Sequence, residues 1–140
     1  MNKAGVSEED IKLIVNVPVS FVSSKNNFEE IEVEYGNSVI LQCQAFGKPA
    51  PEINWYQSQK LISYGSELEL LPDKDQNITC EAKNKINKIT KTFMIKVLTF
   101  PEILPTKNVY DENFMVAEYQ NTNISCQAKG NPVPSIIWYK

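Results

Sequence analysis

The sequence predicts an all-β chain built from small two-sheet sandwiches in tandem. Three observations carry that expectation: a block that occurs twice, short runs of alternating apolar and polar residues, and two inward-facing cysteines with a tryptophan between them. The block Cys43-Gln44-Ala45-Phe46-Gly47-Lys48-Pro49-Ala50-Pro51-Glu52-Ile53-Asn54-Trp55-Tyr56 recurs as Cys126-Gln127-Ala128-Lys129-Gly130-Asn131-Pro132-Val133-Pro134-Ser135-Ile136-Ile137-Trp138-Tyr139. No gap is needed, every position moves by 83 (126 − 43), and nine of the fourteen residues are identical. Solenoid units run to about 20–50 residues, so a repeat of this length suits one sandwich domain per unit. Arrays of such domains bind or space other molecules.

The elements follow in chain order. Asn2-Lys3-Ala4-Gly5 reads as a turn, and Ile11, Leu13, Val15 and Val17 alternate after it up to Pro18. Val39, Leu41 and Cys43 alternate with Ser38, Ile40 and Gln42, the period-two pattern of a strand with one buried face. Gly47, Pro49 and Pro51 are expected to interrupt that run, because proline lacks a ladder donor and fixes φ. Ile53 and Trp55 then share one face of a second strand and Asn54 and Tyr56 the other. Little chain separates Trp55 from Leu68, which leaves room for only a rudimentary strand between them. Ile78, Cys80 and Ala82 alternate again, turning Cys80 toward the same interior as Cys43. Phe93, Ile95 and Val97 lead to Pro101 as the earlier run leads to Pro18.

The pattern C-x-A-x-G-x-P-x-P-x-I-x-W-Y resembles the intermediate-set immunoglobulin domains of adhesion and matrix proteins, such as hemicentin-type arrays. The resemblance covers almost the whole chain and implies an immunoglobulin-like Greek-key β-sandwich, one complete domain flanked by partial ones. Cys43 and Cys80 take the places of the strand B and strand F cysteines and Trp55 that of the strand C tryptophan. A Cys43–Cys80 disulfide packed on a core Trp55 is therefore implied. Cys126 and Trp138 match strands B and C of the next repeat, which makes Trp138 its core tryptophan and Cys126 an unpaired half-cystine. Glu81-Ala82-Lys83-Asn84-Lys85 resembles the family's segment from strand F into the F–G turn.

On this frame residues 1–17 read as the last strand of a preceding domain, 18–98 as a complete domain, and 99–140 as strands A to C of a following one. A protease-resistant core near 18–98 and a labile C-terminal segment are expected. The chain also departs from the family pattern. Ile78 stands where a tyrosine two residues before the cysteine would form the tyrosine corner, so that corner is absent. Asp73 or Asp75 is the candidate side-chain cap for the resulting short turn.

Composition narrows the function. A chain 42% hydrophobic and 22% charged is an ordinary globular one. A formal charge of −3, with no basic stripe among aromatics, argues against nucleic acid as a partner. No apolar run reaches the length of a membrane span. Polar residues follow Met1, so no secretory signal is visible; since Met1 falls inside a predicted domain, a signal is expected upstream of this sequence. With no histidine, neither a Ser–His nor a Cys–His pair can form and the commonest zinc ligand is missing. No glycine-rich phosphate loop occurs. No catalytic residue, metal site or cofactor is expected.

Charge and sequons complete the reading. Glu29, Glu30, Glu32 and Glu34 precede the Val39 strand, and Lys83, Lys85, Lys88, Lys91 and Lys96 follow Cys80. In a sandwich of this type the two segments lie side by side, so cross-strand pairing is expected over a heparin-like partner. Asn77-Ile78-Thr79 and Asn123-Ile124-Ser125 fit the N-glycosylation acceptor pattern, each asparagine turned outward three residues before a cysteine. The favoured function is a non-catalytic protein–protein binding and spacing module of an extracellular adhesion or matrix array. Its partners would be cell-surface or matrix proteins, including neighbouring domains and further copies of the chain. The alternatives are an intracellular muscle scaffold of titin type, with reduced cysteines, and a piece of a receptor enzyme's ectodomain.

Overall fold

The computed structural model describes residues 5, 9–22, 26–105 and 117–139, and all regular structure among them is β. Ten strands occur: β1 (Val17–Phe21), β2 (Phe28–Glu34), β3 (Val39–Gln42), β4 (Ala45–Lys48), β5 (Glu52–Gln57), β6 (Lys60–Tyr64), β7 (Glu67–Leu70), β8 (Gln76–Lys83), β9 (Lys88–Leu104) and β10 (Gln127–Asn131). One sheet runs β6-β5-β8-β9, all antiparallel, and β2 lies parallel to β9 on its other edge. The facing layer is made of two pairs, β1 with β4 and β3 with β7, both antiparallel.

The facing layer is split because the strand carrying Cys43 changes partner. Up to Gln42 it pairs with β7, and from Ala45 onward with β1. Gly47 therefore lies inside β4 and does not interrupt the run as expected; the break falls at Cys43 and Gln44. The glycine is needed for close approach. A Cβ on Gly47 would stand 3.1 Å from Asn84 Nδ2 and 3.4 Å from both the Val17 carbonyl oxygen and Val19 Cα. Gly130 in the second block meets the Phe100 carbonyl and Pro101 in the same way, at 3.4 Å.

The core sits between the layers, where the alternating runs put it. Leu41, Cys43, Trp55, Ile78, Cys80, Phe93, Ile95 and Val97 are almost wholly buried, with Leu68 and Val33 at the margin. Cys43 and Cys80 form a disulfide between the layers. The Trp55 and Phe93 rings lie 5.6 Å apart at an interplanar angle of 40°, an arrangement aromatic quadrupoles favour over a face-to-face sandwich. The Trp55 indole N–H donates to the Gly65 carbonyl at 2.8 Å, so the ring is buried with its polar atom satisfied. Gly65 is the crossing point from β6 to β7, and its φ of +97° is one that glycine adopts without strain. Only Gly65 and Ser66 separate those strands, so the stretch between Trp55 and Leu68 has room for one short strand, β6, paired with β5. Ile78, at the tyrosine-corner position, is fully buried.

Two further expectations differ from the structure. The alternating run from Ile11 to Val15 forms no strand, and Ile11 is 90% exposed; regular structure begins at Val17. Alternation alone does not make a strand without a sheet to receive its hydrogen bonds, and none of the described strands pairs with this run. The strand C that the resemblance implies around Ile136 and Trp138 does not form: residues 132–139 hold no strand, and Trp138 is 61% exposed. No described strand pairs with that segment as β8 pairs with β5. The Asn2-Lys3-Ala4 part of the predicted first turn lies outside the described residues.

Candidate functional site

Three surfaces position polar side chains deliberately. The first is the pole where β8 turns into β9. Asn84 Oδ1 accepts from the backbone N–H of Ile86 (2.9 Å) and Asn87 (3.2 Å), closing an Asx turn. Its Nδ2 donates to the carbonyls of Val17 and Pro49, each at 3.1 Å. Asn87 Oδ1 accepts from the Val19 N–H at 2.7 Å. Two asparagines thus tie the 84–87 turn to β1 and to the proline loop after β4. Glu81-Ala82-Lys83-Asn84-Lys85 pointed to a turn here, but not to this clamp.

The second surface is the opposite pole, where the chain passes into the second block. β9 does not end at Leu98. It continues to Leu104, and its last part pairs antiparallel with β10, Ala128 opposite Ile103. The same two segments of the first block, β1 and β4, also pair antiparallel, with Ala45 opposite Phe21; 83 positions on from Phe21 is Leu104, so the second pairing is displaced by one residue. Asp75 Oδ1 accepts from the Val97 N–H at 2.8 Å and from Asn131 Nδ2 at 3.1 Å. Asn131 Nδ2 also donates to the Val97 carbonyl (2.7 Å), and the Asn131 N–H donates to Thr99 Oγ1 (2.7 Å). Of the two candidate caps, Asp75 makes these bonds, and they run to β9 and the second block. Sequence reasoning missed Asn131, because the residue 83 positions earlier is Lys48.

The third surface is the outer face of the β6-β5-β8-β9 sheet. Register sets Asn54 beside Tyr64 and Glu81, and Tyr56 beside Leu61 and Thr79, followed across by Thr90, Thr92 and Met94 on β9. Tyr64 is 71% exposed, and Tyr56 is half-buried among its neighbours. Two tyrosines, a leucine, threonines and one carboxylate make an amphipathic face suited to a protein surface. Asn77 lies at one corner of this face, exposed on β8.

The charged segments pair where β2 runs along β9. Lys91 Nζ lies 2.6 Å from Glu29, and Lys96 Nζ 2.6 Å from Glu30. Lys88 pairs with Glu81 at 3.2 Å. Lys96 is held above the usual lysine range, first by its hydrogen bond and then by its charge interaction with Glu30. Lys91 is unusual: it faces inward in phase with Phe93 and is only 6% exposed. Its ammonium stands 4.6 Å from the Phe93 ring centroid as well as on Glu29, so the buried charge has two partners. Among the described residues, no group of three or more acidic, cysteine or histidine side chains is placed to hold a metal ion. Cys126 is half-buried outside any disulfide, and Asn123 is exposed in a segment without strand structure.

Residues 20–97 match the family model described as Immunoglobulin domain. The chain belongs to that family. Among its relatives, human Hemicentin-1 is 32% identical over 152 residues, a match that takes in 100% of this chain and 3% of that protein. Neural cell adhesion molecule 1-A of Xenopus laevis is 29% identical over 146 residues, covering 95% of this chain and 13% of its own length. The chain thus spans a small fraction of the relatives it matches. Among solved structures, Dpr2 Ig1-Ig2 in complex with DIP-Theta Ig1-Ig3 superposes with a TM-score of 0.54 at 25% identity, over 64% of this chain and 35% of that one. This is an immunoglobulin-domain protein related to adhesion proteins, and the sheets, disulfide and core tryptophan described above are those of an immunoglobulin sandwich.

Proposed function

We propose that the chain is a non-catalytic binding and spacing segment of an extracellular adhesion or matrix array of immunoglobulin domains. The observation that carries this reading is β9, which is the last strand of one sandwich and, without a spacer residue, the strand on which β10 of the next block pairs. On this reading residues 18–98 are the complete domain, 1–17 belong to the domain before it and 99–140 to the one after. Cys126 is then a half-cystine of the later domain, with Trp138 as its core tryptophan. Partners are other proteins: cell-surface or matrix molecules, neighbouring domains or further copies. One structural neighbour is itself described as a complex of two immunoglobulin-domain proteins.

The test is peptide mapping under non-reducing conditions of the native protein from fractionated tissue. A bridged Cys43–Cys80 peptide in the cell-surface or matrix fraction is expected. Reduced cysteines in a cytosolic fraction would overturn the extracellular reading and favour the muscle-type scaffold. For binding, beads coated with the purified chain are mixed with uncoated beads and with beads bearing candidate matrix proteins. Association that persists after Tyr56→Glu would show that the outer sheet face is not the contact.

A further inference from the structure

We infer that Asn77 carries an N-linked oligosaccharide whose first sugars lie in the groove between the 57–59 turn and β9. The inference rests on the extracellular reading above. The acceptor triplet Asn77-Ile78-Thr79 lies wholly within β8. Ile78 is fully buried, Asn77 is exposed and Thr79 is half-buried, so Asn77 and Thr79 project to the outer face while the residue between them anchors the strand. A sugar attached before folding therefore stays outside the core when the sandwich closes. No protein partner occupies the Asn77 side chain among the described residues.

Space is provided by the way β5 ends. Its pairing with β8 stops at Gln57 opposite Ile78, one residue short of Asn77. The chain then turns away through Ser58 and Gln59, at φ of 47° and 68°. The corner left open is a groove of about 780 Å³ beside Asn77, within the range that holds a small-molecule-sized group. Gln59, Gln76, Lys74 and Lys96 offer polar atoms at its rim, and Met94, directly opposite Asn77 on β9, offers an apolar floor. A pyranose ring has that pairing of polar edge and apolar face. Asn123 lacks such a setting: it lies outside any strand, and the neighbouring Ile124 is 58% exposed.

Attachment is a displacement on a lipid-diphosphate-linked oligosaccharide. The Asn77 Nδ2–C1 bond forms, the bond from the anomeric C1 to the diphosphate oxygen breaks, the lipid diphosphate leaves, and the amide loses one proton to a base of the transferase. The attached sugar covers the Met94 and Lys96 end of the sheet face and leaves the Tyr56 and Tyr64 end free. A protein docking on this face is thereby confined to the tyrosine end.

The test is the full chain secreted from eukaryotic cells behind a cleavable signal, analysed by intact mass and by peptide mapping after peptide-N-glycosidase in heavy-oxygen water. Label at Asn77 is expected, lost in both Asn77→Gln and Thr79→Val and kept in Thr79→Ser. Release of the glycan from native protein should be at least tenfold slower than from unfolded protein, because the groove shields the first sugar. A bare Asn77 in secreted protein with the Cys43–Cys80 bridge formed overturns the modification, and equal release rates overturn its seating in the groove. Neither result touches the array reading, which fails separately if the native protein is cytosolic with reduced cysteines.

Discussion

Replacing Asn84 with alanine tests whether the turn clamp organises one pole of the sandwich. The side chain makes four hydrogen bonds: two accepted from Ile86 and Asn87 and two donated to Val17 and Pro49. Two of these are part-buried and two exposed. A net intramolecular hydrogen bond contributes about 0.5–1.5 kcal/mol, exposed ones falling at the low end. The sum is about 2–3 kcal/mol, a large share of the roughly 5–15 kcal/mol that holds a domain folded. For a domain of this size that lowers Tm by about 10–20 °C. The assay is urea unfolding followed by Trp55 fluorescence in a Trp138→Phe background, which removes the exposed reporter. Asn84→Asp divides the effect, since it keeps the oxygen that accepts both Asx-turn bonds and sets a carboxylate against two carbonyls. If both variants unfold within about 0.5 kcal/mol of the parent, the clamp does not stabilise the domain and the reasoning fails.

Three further outcomes follow from other contacts. Asp75→Ala removes two hydrogen bonds at the passage into the second block and should cost about 1–2 kcal/mol; hydrogen exchange at the Val97 amide should speed up, and an unchanged rate would show that Asp75 does not hold β9. Glu29→Gln leaves the buried Lys91 ammonium without its carboxylate and should destabilise, whereas Lys91→Met should be neutral or stabilising, because replacing a buried ion pair by an apolar side chain often is; the reverse order in urea midpoints would refute this. Lys96 is raised above its ordinary value, so its contribution to stability is complete below about pH 10.4 and is lost as pH climbs through the higher folded value. Its NMR titration midpoint should lie above that of free lysine and fall back toward it in Glu30→Gln.

What the sequence disclosed divides by whether the cause is local. The inward faces of β8 and β9 were legible, since burying every second side chain is a property of each strand alone. The same alternation from Ile11 to Val15 produces no strand, because a pattern of faces does not say that a neighbour is present. Gly47 was legible as a special residue but not for its reason: it allows β4 to approach β1 and Asn84, a contact between segments far apart in the chain. Lys91 breaks the expected composition of a core face and is tolerated because Glu29 arrives from β2 and the Phe93 ring lies beneath its ammonium. Asn131 carries a bond pattern that Lys48 cannot reproduce, so the internal repeat, the strongest signal in the sequence, was silent there.

These two poles bear on how an array of such domains would act. At one pole, asparagines hold the turn after β8 to β1, the strand through which a preceding domain would enter. At the other, Asp75 and Asn131 hold β9 as it becomes the first strand of the next block. Entry and exit strands are each fastened by side chains to the body of the sandwich, and no glycine- or serine-rich linker separates the exit strand from the next pairing. In the array we propose, consecutive domains are therefore spaced by their own strands, and the positions of successive binding faces follow from the fold. Modest patches such as the tyrosine end of the outer sheet face gain most from that arrangement. The avidity of linked sites depends on an effective concentration, which is highest when their separation matches that of the sites they meet. A fixed spacing favours partners that repeat with the same period, so selectivity would reside in the junctions as much as in any single face.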